Sequence, residues 1–317
     1  MSDLAVITVV GESLVDVIVR GGSGGPAVHP GGSPANVAVA LSRLGQRTVL
    51  VTQIGADGNG ALIRAHLERN GVQVVLAGPA AVPTSRATAR LDSHGAASYQ
   101  FELSWDVRDL RLAAGSAALH VGSLGVMLAP GGQQVLRLVE SVARRGDVVT
   151  SYDPNVRPSV TPRQVAARAE RAAAAAHIVK MSDEDLAFLF PGATAEQLAA
   201  RLLNAGATQL VLVTKGRHGA VAVTRRSSFS AAAVPVAVVD TVGAGDAFMA
   251  ALLAGLAQFG WLSPKALAEG VATRQDALRE IVDQALAAAA LTCARPGADP
   301  PTAKELAAFR ARRNDAG

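Results

Sequence analysis

Cysteine is almost absent: Cys293 is the only one in 317 residues, so no intrachain disulfide can form and burial alone must hold the chain together. A reducing, cytoplasmic setting is expected. Aromatic residues make up only 3%, too few for the stacking platforms of single-strand nucleic-acid readers. The arginines are scattered and the formal net charge is only +4, despite a pI near 9.7, so nucleic acid is not an expected partner. One basic cluster, in FRARRNDAG at the C-terminus, reads as a solvated helix end. No apolar run reaches the roughly 20 residues that span a bilayer, and no cationic start leads into a signal core. A soluble protein with no membrane partner is expected. The six histidines, His29, His66, His94, His120, His177 and His218, show no paired metal-ligand spacing, which argues against zinc.

Apolar content is what the chain has in quantity. Half its residues are hydrophobic, enough at this length for a substantial core, and we read residues 1–317 as a single domain. The opening AVITVVGESLVDVIV is a nearly continuous β-branched run, the pattern of a strand buried on both faces, and it breaks at Gly11. GGSPANVAVALSRLG then reads as a glycine turn, Ser33 as N-cap, Pro34 at the first helical position, an apolar stripe through Val37, Leu41 and Leu44, and Gly45 as the stop. Strand-like runs (TVLVTQIG, AALHVG, DVVTSYD, HIVKMS, QLVLVT) then alternate with helical stretches such as NGALIRAHLERNG and TAEQLAARLLNAG. Such alternation predicts an α/β fold, a mainly parallel sheet flanked by helices.

Two segments break the alternation. Residues 14–31 (through DVIVRGGSGGPAVHPGG) and 85–105 (through ATARLDSHGAASYQFEL) read as antiparallel strand pairs. Their turns fall at Gly21–Gly25 and Asp92–Gly95, and Tyr99, Phe101 and Leu103 alternate onto one face. Together they predict a small β-sheet. It is either a peripheral decoration or a lid over a site at the carboxyl ends of the main strands, where open α/β sheets bind ligands.

The stretch DTVGAGDAF places Gly243, Ala244 and Gly245 directly before Asp246. Phe248, Leu252, Leu256 and Phe259 follow at the spacing of an amphipathic helix, and Gly260 stops it. The small residues therefore sit at a helix entrance. First-turn N–H groups lack helical partners there and the dipole favours negative charge, so a run without side chains lets an anion approach the backbone. A carboxylate beside an anion cradle makes sense where a group loses its proton next to a phosphate. Taken alone, the motif equally fits a turn whose Asp246 caps its helix.

GGSPANVAVALSRLG and DTVGAGDAF resemble the two signature regions of the ribokinase-like (PfkB) sugar kinases. DPNVRP, KMSDEDL, LVTKGRHGA and ALTCARPGADPP fall between and after them in the expected order, so the resemblance covers essentially the whole chain. Within the family, GESLVD, DPNVRP and RPGADPP look most like bacterial fructokinases. The resemblance implies a ribokinase-like sheet with a small β-sheet lid, and transfer of the ATP γ-phosphate to a sugar hydroxyl. It makes Asp246 the base and the amides of Gly243, Ala244 and Gly245 the cradle of the moving phosphoryl group. Such transfer has a loose transition state, so the proton can move late and positioning supplies most of the acceleration.

For the sugar, the resemblance implies Asp16, Gly31, Gly32 and Asn36; vicinal hydroxyls suit a bidentate acceptor, an amide and bare glycine backbone. The two glycines also fit a plain turn. Arg157 has two readings, a contact to the sugar or its phosphate and a loop-pinning pair with Asp153. The nucleotide side would use Lys180, Thr214, Gly216 and Gly219, the glycines also fitting an ordinary hairpin turn. Ser182 and Asp185 stand where many relatives carry the Asn and Glu that organise Mg²⁺, with Glu184 as a substitute for the shorter Asp185. ATP and Mg²⁺ are the expected cofactors, since the few basic candidates cannot neutralise the phosphates alone. Asp240 and the Val242 carbonyl occupy places where some relatives hold a monovalent cation such as K⁺; a turn-shaping Asp240 fits equally. The lid could also pair with that of a second subunit, giving a homodimer.

The foremost reading is a fructokinase making fructose 6-phosphate. A 2-keto-3-deoxygluconate kinase is the alternative, with Arg86, Arg90 and Arg157 as candidate partners of the acid. Other sugar or nucleoside kinases of the family and a catalytically silent sugar sensor rank lower. A dinucleotide-binding oxidoreductase is disfavoured, because the first strand runs into GESLVD and lacks the glycine fingerprint a pyrophosphate needs.

Overall fold

The computed structural model describes residues 5–20, 25–91, 97–157, 161 and 165–314. The chain order begins β1 (Val6–Val10), β2 (Leu14–Arg20), β3 (Ala27–Gly31), α1 (Ser33–Arg43), β4 (Arg47–Thr52), α2 (Gly58–Arg69), β5 (Gln73–Leu76), β6 (Arg86–Leu91) and β7 (Ala97–Glu102). Next come β8 (Ser116–Gly122), α3 (Ser123–Met127), α4 (Gly131–Arg145), β9 (Val149–Asp153), α5 (Ala166–Ala175), β10 (Ile178–Ser182), α6 (Asp183–Leu189) and α7 (Ala195–Ala205). The chain closes with β11 (Leu210–Thr214), β12 (Ala220–Thr224), β13 (Ser228–Ala231), α8 (Ala244–Gln258), α9 (Pro264–Thr273), α10 (Gln275–Cys293) and α11 (Ala303–Asn314).

Nine strands form one sheet in the order β13-β12-β11-β10-β9-β8-β1-β4-β5. The pairings from β5 to β11 are parallel, and β12 and β13 extend the edge antiparallel. Strand residues alternate between two apolar layers. Ile7, Val9, Ile178, Leu210 and Leu212 face a core completed by α1, α2, α8 and α10. Val6, Val10, Val179, Met181, Val211 and Val213 face a second core against α4, α5 and α7. Burial on both faces is what makes these strands near-continuous apolar runs. The helices that cross over carry their own start signals: reciprocal capping boxes join Ser182 to Asp185 and Thr194 to Gln197. Among the described residues no helix is long and apolar enough to cross a membrane.

The two irregular segments form one separate sheet of order β3-β2-β6-β7. Its hairpins β2–β3 and β6–β7 are antiparallel and are joined by parallel pairing of β2 with β6. The expected turn at Asp92–Gly95 and most of the one at Gly21–Gly25 lie outside the described residues, as does the Tyr99 side chain. Leu103 falls just beyond β7.

Two local expectations are corrected. Helix α1 takes Gly32 as its N-cap, at φ 103°, and Ser33 is its first residue; the serine hydroxyl is engaged elsewhere. Helix α8 is not amphipathic, because every residue from Asp246 to Leu256 is buried. It lies between α1 and α10, so burial on all sides replaces a single apolar stripe.

Candidate active site

Parallel strands present their carboxyl ends on one edge, and β1, β9, β10 and β11 deliver Gly11–Ser13, Asp153–Arg157, Ser182–Asp185 and Thr214–Gly219 there. Helix α8 enters the same edge through Gly243, whose φ of 76° suits glycine. A Cβ at Gly243 would press on Ala298 at 2.6 Å, and one at Gly245 would lie 2.9 Å from Lys180 Nζ. Asp246 is the third residue of the helix and is only 6% exposed. Its Oδ1 accepts from Ser33 Oγ at 2.7 Å and its Oδ2 from Asn36 Nδ2 at 2.9 Å. Both donors stand on the first turn of α1. The glycine turn near the start of the chain and the GAGD turn near its end therefore converge on one carboxylate.

Behind the cradle lies a buried ion pair, Lys180 Nζ to Asp153 Oδ2 at 2.8 Å. Burial pushes the Asp153 carboxyl up to about 6; Lys180 opposes this, and the neighbouring Asp185 and Asp246 carboxylates add to it. Burial works most strongly against the Lys180 charge, but Asp153, Asp185 and Asp246 together outweigh it and the net direction is upward. The pair is thus ionised at neutral pH. Asp153 Oδ1 is buried without a partner among the described residues. Of the two roles open to Arg157, pairing with Asp153 is not realised: Lys180, projecting from the adjacent strand, takes that carboxylate, and Arg157 Nη1 donates to Asn155 Oδ1 at 2.8 Å.

Asp185 is occupied differently from a free metal ligand. Its Oδ1 accepts from Val156 N at 2.6 Å, and its Oδ2 from Ser182 N at 2.9 Å and Ser182 Oγ at 2.7 Å. It therefore pins the DPNVR loop to the start of α6, while Glu184 is exposed. Among the described residues, no group of three His, Cys, Asp or Glu side chains could hold a metal ion alone.

Of the residues expected to meet the acceptor, Asp16 and Gly31 come from the small sheet. Glu12, which sequence reasoning passed over, is 4% exposed and accepts from Gly125 N at 2.6 Å. Burial pushes its carboxyl up to about 7, with Ser123, Gly125 and the Arg157 charge opposing. Burial also raises Asp16, again with Arg157 opposing. Both carboxyls therefore feel the Arg157 charge. A Cβ on Gly31 would collide with the Asp16 carboxylate, and one on Gly32 would meet Glu12 O at 2.7 Å, so both glycines are required by close approach. The only signal for Glu12 was an acid directly after an apolar strand; its burial is a property of the packed α3.

Among the residues expected to serve a nucleotide, Thr214 ends β11 beside Ser182 of β10. Gly216 and Gly219, at φ 51° and 85°, shape the turn into β12, closed by Lys215 N to Gly219 O at 2.7 Å. Asp240 ties two loops together by accepting from Val242 N at 3.0 Å and Gly297 N at 2.9 Å, bonds that lower its carboxyl pKa. Val242 is 52% exposed.

A family model described as pfkB family carbohydrate kinase matches residues 6–305. The chain belongs to this family. A fructokinase of Klebsiella pneumoniae is 36% identical over 80% of this chain and 85% of that protein. The solved fructokinase of Xylella fastidiosa with bound ATP superposes with a TM-score of 0.84 at 25% identity, covering 98% of this chain and 99% of that one. The fructokinase of Vibrio cholerae bound to fructose, ADP and calcium gives a TM-score of 0.78 at 29% identity, over 96% and 99% of the two chains. As a pfkB carbohydrate kinase the chain is a phosphotransferase acting on a sugar hydroxyl, and the nine-stranded sheet with its small companion is the ribokinase-like fold.

Proposed function

We propose that this kinase phosphorylates fructose with ATP, giving fructose 6-phosphate, with Asp246 as the base. The observation that carries the reading is the meeting of two turns on Asp246: Ser33 and Asn36 bond it from the acceptor side, while it stands at the bare helix entrance Gly243-Ala244-Gly245. In the reaction the sugar hydroxyl oxygen bonds to the γ-phosphorus, the bond to the β-phosphate oxygen breaks, ADP leaves, and the hydroxyl proton passes to an Asp246 oxygen. Asp16, Gly31, Gly32 and Arg157 bind the sugar; Thr214, Gly216, Gly219 and Lys180 serve the nucleotide. The Gly245 cradle, bounded by the Lys180 ammonium, fits an anion.

Mg²⁺ suits a site with few carboxylates, because it keeps waters and leans on substrate phosphates. The unpartnered Asp153 Oδ1 is the oxygen we assign to its shell, in place of the fully engaged Asp185. Bound there, the ion would offset phosphate charge as it shifts to the leaving group. The Asp240 and Val242 loop is the candidate K⁺ contact. The small sheet acts as lid and as the surface for a second copy.

A keto-acid substrate is less well suited. Its carboxylate would have to use Arg157, whose charge already acts on Glu12 and Asp16, while Arg86 is spent on Glu102 at 2.5 Å. ADP release measured over a panel of sugars and sugar acids, in K⁺ and in Na⁺, tests the reading: fructose should give the highest kcat/KM. A higher value for 2-keto-3-deoxygluconate would overturn it. Asp246→Asn should lower kcat by about 10²–10⁴-fold with substrate affinities nearly kept, and a variant retaining half the parent kcat would remove Asp246 as base.

A further inference from the structure

Ser33 opens α1 directly after the Gly31–Gly32 turn, a place where a serine hydroxyl ordinarily accepts a backbone N–H of its own helix. That job is not taken up. Gly32 holds the cap position, and no side chain caps the helix. The hydroxyl instead reaches a residue 213 positions away and donates to Asp246 Oδ1 at 2.7 Å. Ser33 is 8% exposed, so the bond is sheltered from competing water. One turn on, Asn36 holds the other oxygen, Oδ2, at 2.9 Å.

The terminal torsion of an aspartate is broad and roughly two-fold, so one donor on one oxygen leaves the carboxylate free to swing. Donors on both oxygens remove that freedom. Each oxygen of an ionised carboxylate has about two acceptor sites, so neither bond blocks arrival of a third hydrogen. Ser33 keeps its own proton throughout, since a serine hydroxyl is a far weaker acid than a carboxylic acid.

We propose that Ser33 is a positioning residue for phosphoryl transfer, which with Asn36 clamps the plane of the Asp246 carboxylate so that it meets the sugar hydroxyl in one orientation. The proposal rests on Asp246 being the base. It assigns Ser33 no contact with the moving phosphoryl group. Loss of the clamp acts on kcat, because a misplaced base costs in the transition state, and leaves ATP binding alone.

The test is a double-mutant cycle with fructose and ATP. Ser33→Ala should lower kcat roughly tenfold, with the ATP KM unchanged and an unfolding transition that overlays the parent's. Added to Asp246→Asn, the same substitution should change the residual kcat by less than about twofold, since no base remains to be positioned. A tenfold penalty persisting in the Asp246→Asn background would overturn the proposal and make Ser33 a general support of α1. A Ser33→Ala kcat within twofold of the parent would overturn it too. Should alanine disturb folding, Ser33→Thr and Ser33→Val repeat the comparison at equal shape: threonine should retain kcat and valine lose it, and equal rates would refute the clamp. Activity surviving in Asp246→Asn itself is a separate result, which removes the base assignment before Ser33 is reached.

Discussion

Burial holds the Glu12 carboxyl at about 7, against 4.5 for an unperturbed glutamate, although Ser123, Gly125 and Arg157 each pull it down. Between those two values the folded protein keeps a proton that the unfolded chain has released. Stability must therefore fall as pH rises from about 4.5 through 7, by at most about 1.4 kcal/mol per pH unit for this one group. Glu12→Gln preserves the acceptor for the Gly125 N–H and removes the titration. Thermal unfolding from pH 5 to pH 8 should show the parent losing ground against Glu12→Gln, with the variant ahead at the alkaline end. Parallel curves would mean that Glu12 does not titrate in this window. The Arg157 charge acts on Glu12 and Asp16 alike, so the ionisation of Glu12 sets the local charge on this side of the candidate site.

Helix α8 serves two purposes that conflict in sequence terms. Its body is buried on all sides between α1 and α10, yet Gly243 and Gly245 at its entrance must stay bare. Gly245→Ala probes the conflict. Alanine is the better helix residue by roughly 1 kcal/mol, but its Cβ would stand 2.9 Å from Lys180 Nζ, which Asp153 holds in place at 2.8 Å. The stability terms nearly offset, whereas the anion cradle is filled. We expect an unfolding midpoint close to the parent's and a kcat/KM for ATP reduced by at least about tenfold, the scale on which small misplacements act. Unchanged ATP kinetics would show that the phosphates do not approach Gly245.

For the molecule as a whole, the placement of the four-stranded sheet matters most. Water beside an activated γ-phosphate wastes ATP, so a sugar kinase gains by completing its site only with sugar present. Asp16 belongs to β2 and Gly31 ends β3, which links the proposed sugar contacts to the sheet directly. Parallel pairing of β2 with β6 makes the two hairpins one body. Hydrogen exchange should therefore slow together in 14–31 and 85–105 when fructose is added, with ATP alone doing much less. Independent responses, or protection by ATP only, would leave the sheet as static decoration or as a contact between copies.

The sequence by itself determined the class of fold, the alternation of the central strands with helices, and the two glycine turns. These follow from local rules: β-branched runs buried on both faces, helix ends marked by glycine and proline, and the bare GAG run before Asp246. It also placed the two irregular hairpins and their union into a small sheet, though not which strands join them: β2 and β6 pair in parallel across more than sixty residues of chain, and no local pattern encodes that register. Tertiary structure alone decided the partners. Ser33 looks like a helix cap and bonds Asp246 near the other end of the chain; Asp153 looks like a partner of Arg157 and takes Lys180; Asp185 looks like a metal ligand and pins a loop. In each case a polar group at a buried edge bonds whatever the packed sheet brings within 3 Å, since leaving it unpaired costs more than any local preference.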